Sequence, residues 1–97
     1  MVNKITEVSD VKGLYLFDCP GCKCSHYINT NPANGAVWEF NFDMKRPTVS
    51  PSIFVNRGSL DKRMPQCHSF IKDGQIQFLN DCTHNLAGHT VEIPDLE

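Results

Sequence analysis

The sequence has no apolar run approaching the ~20 residues that a bilayer-spanning helix needs, and no basic amphipathic segment suited to a membrane surface. Its first ten residues, MVNKITEVSD, hold neither the apolar stretch nor the small-residue cleavage site of a secretory signal, so the expected compartment is the reducing cytoplasm. Charge of one sign is equally scarce. Nine basic and eleven acidic residues leave a formal charge of −2, which offers no global field for a phosphate backbone and disfavours nucleic acid as a partner. Internal repeats, low-complexity tracts and charge blocks are missing. So are G-x-S-x-G, Walker, H-E-x-x-H and EF-hand patterns, and the functional classes built on them are unsupported. With 97 residues, 40% of them hydrophobic and 21% charged, the expectation is one folded domain over residues 1–97, its first ten residues loosely held.

What the chain does have is five cysteines and four histidines. In a reducing compartment an odd number of cysteines reads better as ligands or free thiols than as a disulfide framework. Cys19-Pro20-Gly21-Cys22 has the form of a zinc knuckle, in which a tight turn aims two sulfurs at one point and backbone N–H groups hydrogen-bond the thiolates. A redox dithiol shares this spacing but normally opens a helix, whereas Cys24-Ser25-His26 leads into a strand-like segment. The second half of a tetrahedral site must come from the dense group Cys67, His68, Cys82 and His84. The expected metal ligands are Cys19, Cys22, Cys67, Cys82 and His84, with His68 as the alternative to Cys67, and the expected cofactor is zinc. Cys24 and His89 read as incidental.

Short aromatic and β-branched runs separated by turn residues predict a mainly β chain. Leu14–Asp18 and Ser25–Asn29 flank the knuckle, and Ala36–Phe42 forms a third strand with Trp38 as core anchor. Two prolines in Pro47-Thr48-Val49-Ser50-Pro51-Ser52 argue for an edge or loop leading into Ile53–Val55, and its hydroxyls read either as a polar-substrate loop or as a self-satisfied turn. Asn56–Gln66 is a polar loop. Asp73-Gly74 predicts a two-residue hairpin that sets Lys72 opposite Gln75, Ile71 opposite Ile76, Ser69 opposite Phe78 and Cys67 opposite Asn80. Period-two alternation then turns Cys67 and His68 to opposite faces, so one of them serves another purpose than the metal. Asn80 or Asp81 can cap a helical turn over Cys82–Ala87, ended by Gly88, that would place Cys82 at a helix N-terminus. Thr90–Ile93 closes the chain as a strand.

The blocks CPGC with His26, Trp38-Glu-Phe-Asn, RPTVSPSI at 46–53, CHSFIKDGQIQFL at 67–79 and DCTHNLAGHTV at 81–91 resemble a family of small tailed-phage and prophage proteins. The resemblance runs from Leu14 to Pro94. That family's pattern includes Cys19, Cys22, His26, Cys67, His68, Cys82 and His84, leaves out Cys24, and has Gln where His89 stands. Monooxygenase chemistry, a label attached to that family, would need membrane spans or paired carboxylate ligands, and neither is present. The chain is more distantly similar to a domain family with C-x-C-G, P-S-I and S-H-Y-W-I blocks found in bacterial ubiquitin-like conjugation operons, where the histidine of the CHSFI block, His68, is the matching residue.

These readings imply a small zinc-stabilised antiparallel β-sheet domain, zinc-ribbon-like at its knuckle. It would be a phage or prophage accessory protein in the host cytoplasm, with structural zinc and loops that bind a protein partner. The alternative is a zinc-dependent hydrolase with an open metal position and His26 or His68 as general base. Nucleic-acid binding through Lys45, Arg46, Arg57, Lys62 and Arg63 is the third reading.

Overall fold

The computed structural model describes residues 3–61 and 63–96, so Lys62 lies outside the described residues. The chain builds two antiparallel sheets. The first, in the order β1-β2-β3, contains β1 (Ile5–Glu7), β2 (Leu14–Cys19) and β3 (Cys24–Asn29). The second, in the order β4-β5-β6-β7-β8, contains β4 (Glu39–Phe40), β5 (Val49–Val55), β6 (Cys67–Lys72), β7 (Gln75–Phe78) and β8 (Thr90–Glu92). Every neighbouring pair is antiparallel. No helix among the described residues is long and apolar enough to cross a membrane.

Alternation selects the core. Tyr15, Phe17 and Cys19 of β2, Cys67, Ser69 and Ile71 of β6, and Ile76 and Phe78 of β7 are buried while their neighbours are not. All of these but the polar Ser69 join Ile5, Ile28, Phe40, Val49, Ile53 and Ile93 in one cluster shared by both sheets. The β6–β7 hairpin has the expected register, with Lys72 opposite Gln75, Ile71 opposite Ile76 and Ser69 opposite Phe78. Asp73 (φ 53°) and Gly74 (φ 82°) both occupy the left-handed region that such a two-residue turn requires. The ladder stops at Phe78, so Cys67 has no partner at Asn80.

Elsewhere tertiary contacts override local expectation. Ile5 is fully buried in β1, within the segment expected to be loosely held. The third strand shrinks to Glu39–Phe40, and Phe40 rather than half-buried Trp38 enters the core. The proline-flanked segment is a seven-residue strand. It accommodates Pro51 because its register with β6 shifts between Val49 and Ile53 and because β4 reaches no further than Ser50.

The helical turn expected over Cys82–Ala87 does not form; residue 84 is a bend and residues 85–88 are turns, and the 3-10 turn among the described residues is Pro32–Asn34. The amides of the segment are drawn elsewhere. Thr83 N–H donates to Gln66 O (3.0 Å), Gly88 N–H to Phe78 O (3.0 Å), and Leu86 N–H to His84 Nδ1 (3.2 Å). Cys82 is therefore not at a helix N-terminus, and the dipole argument for its thiolate falls.

Candidate functional site

Cys19 is the last residue of β2 and Cys24, its cross-strand partner, the first of β3, so Pro20-Gly21-Cys22-Lys23 must reverse the chain in four residues. Lys23 closes the turn at φ 58° with its N–H on Cys19 O (2.8 Å), and Cys22 N–H points at Cys19 Sγ (3.4 Å), as a knuckle requires. Beside it β6 begins with Cys67, whose Sγ lies 3.9 Å from Cys19 Sγ. That spacing matches the edge of a tetrahedron with metal–sulfur bonds of about 2.3 Å. His26, opposite Phe17 and edge-on to it at 5.7 Å, turns its ring toward the same point. Ligand atoms of Cys19, Cys22, His26 and Cys67 all lie within 4.8 Å of one another, and a second such group is Cys67, Cys82 and His84.

The electrostatics of the four-donor group would suit a cation. The hydrogen bond from Cys67 is the main force drawing the Cys19 thiol down to about 4, against the opposing effect of burial, with smaller help from His26 and Cys22 N–H. Burial first, and then the Cys19 charge, push Cys22 up to about 12. Cys67 is pushed far up as well, chiefly because it donates to Cys19 and secondly by burial. One thiolate thus forms at the expense of its neighbours, whereas a divalent ion would let all three ionise. The imidazoles agree. Among the described residues three buried side-chain polar atoms lack a hydrogen-bond partner, and two of them are His26 Nε2 and His84 Nε2. Leaving such an atom unpaired costs about 1–3 kcal/mol, which coordination by His26 would remove.

His84 sits over the knuckle. Its ring is edge-on to Phe78 at 4.5 Å, and Nδ1 accepts from Leu86 N–H, which leaves the proton on Nε2. Burial lowers its pKa against the opposing pull of Cys19. A Cβ at Gly21 would overlap this ring. Gly21→Ala is therefore expected to push His84 aside and weaken metal binding about 10–100-fold, with G21A/H84A recovering part of the loss. Chelator competition that found G21A equal to the parent would disprove the contact's role.

A second constellation lies on the other side of β6. His68, adjacent to Cys67, faces away from the core, as alternation demands. Its Nε2 is 3.0 Å from Ser52 Oγ and its Nδ1 is 3.0 Å from Asp81 Oδ2. Phe54 stacks on the imidazole (4.4 Å, 12°), and Trp38 Nε1 donates to Ser52 O (3.3 Å), so the ring and the serine backbone are both held. With Nδ1–H donating to the Asp81 carboxylate, Nε2 offers its lone pair to the Ser52 hydroxyl. This is the arrangement that activates a serine nucleophile.

A family profile described as BubE, bacterial ubiquitination-like system serine protease, matches residues 2–79. The chain belongs to the BubE family. Of the two resemblances in the sequence, this match falls on the one to the ubiquitin-like operons. Neither a curated protein nor a solved structure matches the chain. The BubE match spans Ser52, His68 and the four-donor group, and stops two residues before Asp81.

Of the residues singled out in the sequence, Cys19, Cys22 and Cys67 come together, and His26, considered there as a base, joins them with its side chain buried. Cys82 and His84 adjoin through Cys67. His68 belongs to neither group and meets Ser52 and Asp81 instead. Cys24 and His89 are exposed. Sequence reasoning placed Ser52 in a hydroxyl-bearing loop and Asp81 at a helix cap; the P-S-I and DCTH blocks were the available signals for both.

Proposed function

We propose that this BubE-family chain is a serine protease whose nucleophile is Ser52, general base His68 and orienting carboxylate Asp81, and whose Cys/His group holds one structural zinc ion. The observation that carries the reading is the hydrogen-bonded series Ser52 Oγ, His68 Nε2, His68 Nδ1, Asp81 Oδ2, with both links at 3.0 Å. The family description supports the reaction class and points to a protein of a ubiquitination-like system as substrate. That substrate takes the place of the protein partner expected from the sequence, and the expected setting is the bacterial cytoplasm.

Ser52 Oγ attacks the scissile carbonyl while His68 Nε2 removes its proton. The new O–C bond forms as the C–N bond breaks, and His68 returns the proton to the leaving amine. Water then repeats the sequence on the ester, releasing the acid and free Ser52. Asp81 fixes the tautomer and ring orientation. Its side chain is 46% exposed, so solvent screens its charge and orientation is its larger contribution. Zinc, when bound, supplies structural cross-linking of the knuckle to β6, with Cys19, Cys22, His26 and Cys67 as its holders.

Zinc as the catalytic centre has less support, because the general base His68 is engaged with Ser52 and its neighbour Cys67 points to the opposite face. The test is a fluorophosphonate probe followed by mass spectrometry of the modified peptide. A single adduct on Ser52, lost in S52A and H68A, is the expected result. Absence of the adduct from the folded, zinc-loaded protein would remove the protease reading.

A further inference from the structure

Cys82 satisfies its sulfur in a way that the metal group does not need. It is buried, and its Sγ accepts from His68 N–H (3.2 Å) and donates to His68 O (3.2 Å). Both contacts are to the backbone of the base, and Cys82 directly follows the carboxylate residue. Cys82 N–H bonds Leu79 O (3.2 Å), whose own N–H bonds His68 O (2.9 Å). Gln66 reinforces the junction through Nε2 to Asp81 O (2.6 Å) and N–H to Thr83 Oγ1 (2.8 Å). Beyond Phe78 the β6–β7 ladder has ended, so these contacts replace it at the point where Asp81 must meet His68.

From this geometry, and resting on the protease reading above, we infer that Cys82 is a positioning residue of the triad, clamping His68 to Asp81 through its thiol, and not a ligand of the metal. The four donors Cys19, Cys22, His26 and Cys67 already complete a tetrahedral set without it. A misplacement of about 1 Å between base and carboxylate is enough to cost on the order of 10²-fold in rate.

The test uses the full chain, zinc-loaded, with C82S and C82A. Three quantities are read: zinc per chain, the rate of Ser52 modification by a fluorophosphonate, and the downfield NMR resonance of the His68 Nδ1 proton, with D81N as the control that lacks it. Serine can both accept from His68 N–H and donate to His68 O, so C82S is expected to keep the zinc, the resonance and a rate close to the parent's. C82A is expected to keep the zinc, lose the resonance and react about 100-fold more slowly. Loss of zinc from C82S would overturn the inference, and so would parental rate and resonance in C82A. Should C82A fail to fold, C82S decides alone, because a ligand role predicts zinc loss and a clamp does not. If the parent itself gains no adduct at Ser52, the protease reading fails separately. The clamp is then judged on the resonance: loss in zinc-replete C82A supports it, and persistence overturns it.

Discussion

Replacing Ser52 with alanine is expected to lower kcat on an activated ester such as p-nitrophenyl acetate by several orders of magnitude, up to about a million-fold if the triad behaves as serine hydrolase triads do when the nucleophile is removed. His68→Ala should cost a similar amount, since without a base the hydroxyl stays protonated. The double variant should be no worse than either single one, because the residues act as a unit. Asp81→Asn should fall less far. An amide donates to Nδ1 and so selects the wrong tautomer, with a ceiling of about 10⁴-fold, and solvent at the 46% exposed Asp81 side chain softens the electrostatic part. All three variants should retain parental metal content, because none lies in the four-donor group. Parental turnover in S52A, or additive losses in S52A/H68A, would show that the 3.0 Å contacts are structural only.

Removing the metal is expected to unfold the chain. Structural zinc contributes apparent free energies of about 10–16 kcal/mol near neutral pH, while small domains have only about 5–15 kcal/mol of net stability. The group also ties β2 to β6 at the end of the core where both carry cysteine. Chelation should abolish the near-UV dichroism and the cooperative thermal transition, and Cys67→Ser should reproduce this without chelator. The pH dependence has a definite sign. In the metal-free, unfolded chain the Cys19, Cys22 and Cys67 thiols have ordinary pKa values of about 8.5 and carry their protons at neutral pH. Binding must displace all three, so affinity should rise by up to about a thousandfold per pH unit around neutrality and collapse on acidification. Calorimetry in buffers of different ionisation enthalpy reads the proton count directly. A metal-free protein with unchanged melting temperature, or binding without proton release, would contradict the assignment.

The two constellations occupy opposite faces of β6. Cys67 enters the four-donor group and His68 meets Ser52 and Asp81, and Asp81 and Cys82 divide in a comparable way, one toward the imidazole and the other toward the His68 backbone. Under the proposed reading the same strand end serves both stability and chemistry, so metal removal is expected to silence Ser52 as well.

Much of this was legible in short-range features. Asp73-Gly74 accepts positive φ at both positions, and with β-period alternation it dictates the hairpin register and the separation of Cys67 from His68. Pro-Gly between two cysteines, followed by a strand-like segment, predicts the knuckle turn that Lys23 closes. These are local rules, in which the residues concerned are neighbours in the chain or directly opposed across a tight turn. Tertiary structure alone decided the rest. Ser52 reaches His68 across 16 residues because β5 pairs with β6 so that Phe54 lies opposite His68 and Ser52 two residues away on the same face, and nothing in the spacing of its prolines states that register. Asp81 suits a helix cap and a contact with an imidazole equally well by side-chain chemistry. The withdrawal of the following amides to Gln66 and Phe78 removed the helix and left its carboxylate on His68. His26 became a metal candidate through its place opposite Phe17, inside a core that forms only when the two sheets close. Composition and spacing thus settled which residue types were available and how each local turn runs. Convergence on a point is a property of the closed sheets, because contacts between distant segments are set by packing and register and not by any period within the chain.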